Sequence, residues 1–154
     1  MAKSIKEGPN LAYQGLSMMS QLFYERFGKD AIPIIREVWY EMGLVAGKKL
    51  KGEKSTHDFK SAASILCERA KRNGTPGKYE ISDGLYHITS EAGYNCDVGL
   101  ENAGRDICEA VMSINQGQFK SICGCEVEMN IVRSRAAGDD CCEVTYHPVD
   151  APDE

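Results

Sequence analysis

The chain has no apolar run long enough to cross a bilayer, which excludes a transmembrane helix. Its opening residues, Met1-Ala2-Lys3-Ser4-Ile5-Lys6, lack the apolar stretch of a secretory signal, so a cytoplasmic protein is expected. Positive charge is in deficit: 18 Lys and Arg stand against 23 Asp and Glu, for a net charge of −5. A phosphate backbone or an anionic membrane surface needs a basic field, so neither nucleic acid nor membrane is an expected partner. The chain also has no glycine-rich phosphate loop, no His-x-x-x-His pair and no Ser/His/Asp set that stands out. No internal repeat and no low-complexity segment breaks it up.

Cysteine, by contrast, is plentiful. Six of the seven cysteines fall between Cys96 and Tyr146: Cys96, Cys108, Cys123, Cys125, Cys141 and Cys142. Only Cys67 lies outside. In a reducing compartment such a cluster points to a metal, redox or catalytic site before a disulfide framework, and an odd number leaves one thiol unpaired in any bridged scheme. A length of 154 residues and a hydrophobic content of 42% suit one domain with a real core.

Residues 1–9 read as a leader ending at Gly8-Pro9, 10–147 as one domain, and 148–154 as an acidic tail. Leu11, Leu16, Met19, Phe23 and Phe27 recur at helical spacing and predict a first helix over 10–27, with Gly28 as its stop. Asp30 reads as the N-cap of a second helix with Pro33 in its first turn, and Ile34, Ile35, Val38, Met42 and Val45 trace its apolar face. Gly43 and Gly47 weaken that helix or let another backbone approach closely. After a mostly basic connector over 48–54, Ser55 and Asp58 resemble a capping box. The third helix it opens carries Phe59, Ala62, Ala63, Leu66 and Ala70, and stops at Asn73-Gly74.

The period then changes to two. Asp83-Gly84 between Tyr79/Ile81 and Tyr86/Ile88 predicts a hairpin pairing Ile81 with Tyr86 and Tyr79 with Ile88. An irregular loop over 91–103 follows. Ile107, Ala110, Val111 and Ile114 mark a fourth helix ending near Gly117. Strands over 126–135 and 142–147, joined by Gly138-Asp139-Asp140, form a second hairpin with Val127, Met129 and Ile131 inward. The order is three helices, a hairpin, a helix and a hairpin. That is an α+β fold with an antiparallel sheet of about four strands packed on helices.

Cys108-Glu109-Ala110, Gly117, Gly138-Asp139-Asp140 and Cys142-Glu143-Val144 resemble the C-terminal signature of the L-2-amino-thiazoline-4-carboxylic acid hydrolase-like family. Phe27-Gly28-Lys29-Asp30-Ala31 resembles its N-terminal pattern, and Cys96 falls where the family starts its C-terminal segment with a cysteine. The related vinyl-4-reductase domain has a similar layout, with Cys108, Gly138-Asp139 and Cys142 at the matching places. The resemblance covers roughly residues 20–147. It implies hydrolysis of a C–N bond in a small ring or, alternatively, a non-catalytic small-molecule-binding domain or accessory subunit. It departs from the patterns at three positions. Val111 stands where the hydrolase-like pattern has Asp. Ile131 and Ser134 stand where zinc-binding vinyl-4-reductase domains carry Glu and Cys.

Candidate site residues follow. Cys108, near a helix N-terminus where a thiol pKa is lowered, and Cys142, on a returning strand, are the expected nucleophile or metal ligands. The bland alternative is a pair of small buried hydrophobes. Glu109 is a candidate base. Cys123-Gly124-Cys125 is a C-x-C in a loop, which with Cys108 and Cys142 would make four zinc ligands, or else a redox-active or exposed thiol pair. Arg135 is a candidate anchor for a substrate carboxylate, or a surface partner of the acidic turn. Trp39, Tyr86 and His87 complete the candidate substrate-binding set, with Trp39 lining an apolar pocket or simply filling the core. The expected partners are a small-molecule ligand or substrate and, through exposed sheet edges, a homodimer or a larger enzyme.

Overall fold

The first helix ends where glycine permits a backbone turn that other residues resist. Gly28 has φ 63° and donates its N–H to the Tyr24 carbonyl, closing α1 (Leu11–Phe27). The structure is a computed structural model and describes residues 10–149. The expected leader and the end of the expected tail lie outside the described residues.

A 3-10 turn over Gly28–Ala31 leads into α2 (Ile32–Lys51), so Asp30 lies inside that turn and makes no N-cap hydrogen bond. Pro33 sits in the first turn of α2, where no N–H is required. The connector expected over 48–54 is helical as far as Lys51. In α3 (Phe59–Arg72) the cap is Asp58 itself, whose carboxylate accepts the Ser61 N–H at 2.9 Å. Ser55 instead pairs with His57, at 3.2 Å.

The buried face of α2 is also not the expected one. Ile34, Val38 and Val45 are exposed, and Ile35, Trp39, Gly43 and Gly47 are buried, one helical turn apart. The two glycines let α4 (Arg105–Cys123) approach. A Cβ on Gly43 would lie 2.9 Å from the Ile114 carbonyl carbon, and one on Gly117 would lie 2.9 Å from the Leu44 amide nitrogen. Gly117 is thus a packing residue, and α4 runs on to Cys123, where Gly124 at φ 74° caps it.

The strands β1 (Gly77–Ile81), β2 (Tyr86–Ser90), β3 (Val127–Arg133) and β4 (Glu143–Pro148) form one antiparallel sheet in the order β1-β2-β4-β3. The hairpin register is the expected one, with Ile81 opposite Tyr86 and Tyr79 opposite Ile88. Continued across the sheet, this makes two inward rows: Tyr79-Ile88-Val144-Ile131 and Ile81-Tyr86-Tyr146-Met129. Helices cover these rows, giving the expected α+β arrangement. One cluster of buried residues joins α3, α4 and the sheet; a second joins α2, α4 and the loop around Leu100. Among the described residues no helix is long and apolar enough to cross a membrane.

Candidate functional site

The inward rows and the helices over them do not close completely. A cavity of about 310 Å³ lies between the sheet, α3 and α4, with Tyr13 of α1, Trp39 of α2 and the loop over 94–98 completing its wall. Five of the chain's seven tyrosines line it: Tyr13, Tyr79, Tyr86, Tyr94 and Tyr146. Trp39 and Phe119 add two more rings. Their arrangement follows from the elements: Tyr79, Tyr86 and Tyr146 come from the inward strand positions, and Phe119 stacks on Phe59 while meeting Tyr86 edge-on.

The wall changes character from end to end. Trp39, Tyr86, Gln118, Phe119 and Tyr146 are each no more than 2% exposed and make its floor. At the rim, Asn73 and Asp97 are exposed, and Arg69 and Thr75 are half-buried. Tyr79 Oη donates to the Thr75 carbonyl at 2.9 Å, and Tyr94 Oη donates to Asp97. Burial first, and then that bond to Asp97, push the Tyr94 phenol up to about 12.

Polar groups at the floor are partly unsatisfied. Asn115 Nδ2 donates to Tyr146 Oη at 2.6 Å, and burial raises the Tyr146 phenol far above its ordinary value, so it stays protonated. Gln118 Nε2 is buried without a hydrogen-bond partner among the described residues. An orphaned buried donor of this kind costs about 1–3 kcal/mol unless something fills the place.

The sequence-derived candidates divide. Trp39, Tyr86 and Cys142 line the cavity, together with Cys96. Trp39 is fixed by its Nε1–H, which donates to Ser20 Oγ at 3.0 Å. Cys142 Sγ accepts the Arg135 N–H at 3.4 Å. Cys108 sits behind the wall and packs against both core clusters. The expected lowering of its pKa does not occur: burial pushes the thiol up to about 11, despite a hydrogen bond from Ser134 Oγ at 3.3 Å. Desolvation outweighs any help from the helix start.

Glu109 is ion-paired with Arg105 one turn away, at 3.2 Å. His87 alternates with Tyr86 and Ile88 and so faces away from the cavity, held by Glu143 at 2.9 Å and Glu80 at 3.1 Å. Arg135 does not continue the inward row of β3. A bulge between Ile131 and Arg133 breaks the alternation, and a 3-10 turn over Arg135–Ala137 takes the chain off the sheet. Its Nη1 donates to the Asp140 carbonyl at 3.4 Å, the turn contact, and it does not line the cavity.

The four-thiol zinc set does not assemble. Cys108 and Cys123 lie on the same helix, about 22 Å apart along its axis. Cys123 is disulfide-bonded to Cys125 across Gly124. Cys96 and Cys142 lie near enough to Cys108 to add to the rise that burial gives its pKa. Even so, among the described residues no three His, Cys, Asp or Glu side chains are grouped to hold a metal ion. Where the zinc-binding domains have a cysteine, Ser134 supplies a hydroxyl that bonds Cys108. The residues present do not fit zinc.

Gln118, Asn115, Tyr146 and Arg69 were not singled out by sequence. The signal was there for the first two: Asn115 and Gln118, three apart, interrupt the apolar face of α4 between Val111 and Ile122.

No protein-family profile matches the chain, and no curated protein matches it. Solved structures do. A trafficking protein particle complex subunit 3 from Naegleria fowleri, covalently bound to palmitic acid, superposes with a TM-score of 0.62 at 14% identity, covering 94% of this chain and 99% of that one. The phenol-responsive sensory domain of the transcription activator PoxR, with phenol, gives a TM-score of 0.59 at 14% identity, covering 95% of this chain and 76% of that one. The chain therefore has the fold these proteins share, the vinyl-4-reductase-like arrangement expected from the resemblance. At this identity the likeness establishes the fold and nothing finer.

Proposed function

We propose that the protein is a binding domain for a compact, largely apolar small molecule, acting as a sensor or as an accessory subunit of a larger assembly. The observation that carries this reading is the aromatic cavity. Side chains large enough to fill the space leave it open, and its volume is at the small end of the roughly 300–1,000 Å³ range of ligand sites. The similar folds support it as well, one holding palmitic acid and the other phenol. Arg69 at the rim would meet an anionic group on such a ligand.

Cys108 is a half-buried thiol whose pKa burial raises, and the candidate base Glu109 is tied to Arg105. A nucleophile needs a base within reach or a lowered pKa. A partner remains part of the proposal. Met19, Leu22, Val38 and Val45 are exposed on α1 and α2, and β1 and β3 are sheet edges, so sedimentation is expected to show self-association.

Trp39 is the chain's only tryptophan and stands in the cavity wall, so its fluorescence reports occupancy. Titration with phenol is expected to give a saturable change, whereas palmitate, larger than the cavity suits, is expected to give a weaker one. A flat response to both would refute the reading.

A further inference from the structure

Gln118 lines the cavity with a side-chain amide donor that the described residues leave unpaired. Its side chain is 1% exposed, it lines the floor, and its Nε2 has no hydrogen-bond partner among the described residues. Buried amide donors are almost always paired, so an exception asks what completes it. Asn115, one helical turn earlier, lines the same wall and donates to Tyr146 Oη at 2.6 Å. The Tyr146 hydroxyl receives that bond and, as a hydroxyl, keeps a proton of its own to donate. Gln118 Nε2 and the Tyr146 hydroxyl are therefore two donors on residues of the cavity floor, which they share with Trp39, Tyr86 and Phe119.

We propose that this pair is a subsite for a hydrogen-bond acceptor on the ligand. The molecule it selects is a compact ring-bearing compound with a carbonyl oxygen, gripped by Gln118 Nε2 and the Tyr146 hydroxyl. A carbonyl oxygen has two lone pairs and brings no proton of its own, so it satisfies both donors without creating a new unpaired one. A pure hydrocarbon offers no acceptor to either. The rest of the wall supplies contact area for the ring, and the two donors supply orientation. This inference rests on the ligand-binding reading above and adds the chemical class of the ligand.

A matched pair of probes separates the two levels. Acetophenone and ethylbenzene share a ring and a two-carbon chain and differ in C=O against CH₂. Both are titrated against Trp39 fluorescence in the full chain and in Gln118→Met, which keeps side-chain length and removes the amide. Acetophenone is expected to bind Gln118→Met about tenfold more weakly than the unaltered chain, the effect of one lost buried hydrogen bond, while ethylbenzene binds both equally or favours the variant. Tyr146→Phe is expected to produce the same selective loss, and it serves as the test if thermal unfolding shows Gln118→Met to be misfolded. If both probes bind the unaltered chain and neither variant changes their ratio, the acceptor subsite is overturned and the cavity reading stands. If neither probe binds the unaltered chain, both fall.

Discussion

Helix α4 is pressed against α2 on one side and faces the sheet on the other, and the two sides are built from opposite kinds of residue. Toward α2 it presents Ile114 and Gly117 against Gly43, and the Gln118 backbone and Ser121 against Gly47. Ser113 Oγ donates to the Arg36 carbonyl of α2 at 2.9 Å. Backbones meet there, with no space for even one added carbon. Toward the sheet α4 presents Met112, Asn115 and Phe119, with the side chain of Gln118 at the boundary, and there a cavity of about 310 Å³ remains. Small residues close an interface and large ones here hold one open. An opening kept among side chains that could fill it, with a buried amide unpaired at its floor, is what a site requires and a core avoids.

The largest expected effect breaks the closed side. Gly117→Val places a branched side chain against the Tyr40 carbonyl and is expected to destabilise the fold by about 3 kcal/mol, measured by denaturant unfolding. A loss below about 1 kcal/mol would mean the seam yields and the contrast is weaker than drawn. The open side should respond in the reverse sense. Val144→Phe adds a ring to the cavity wall, and phenol affinity is expected to fall about tenfold while the unfolding midpoint holds or rises. A large drop in stability would show that the space is not free.

The outer face of the sheet provides the smallest effect. The carboxylates of Glu143 and then Glu80 raise the His87 pKa. Because the folded pKa is the higher one, the contribution is full below about pH 6.5 and is lost as pH rises through the raised value. His87→Gln is expected to cost about 0.5 kcal/mol in mild acid and nothing in alkali, with ligand binding unchanged. A change in binding would place His87 in the site after all.

How much of this was legible in sequence follows the same contrast. The first hairpin was readable to the residue because Asp83-Gly84 and the alternation of Tyr79, Ile81, Tyr86 and Ile88 are local signals. The seam was not, because glycines carry no hydrophobic signature. Val38 and Val45 were read as the packed face of α2 where Gly43 and Gly47 do the packing. Gly117 was read as a stop, which cut Gln118 out of α4 and so out of the candidate site. The cysteines misled for a different reason. Sequence proximity groups Cys108 with Cys123 and Cys125, but α4 carries Cys108 and Cys123 toward opposite ends, and partial burial raises the Cys108 pKa. Trp39 and Tyr86 line the cavity because their positions in α2 and β2 face inward.

The comparison comes to a single test in amide NMR spectra recorded through a titration with phenol. Saturable shifts are expected at Tyr86, Ser90, Met112, Asn115 and Val144 along the open side of α4 and the sheet, with Gly43 and Ser113 unmoved. Absence of saturable shifts, or shifts centred on the α2–α4 seam, would contradict the cavity reading.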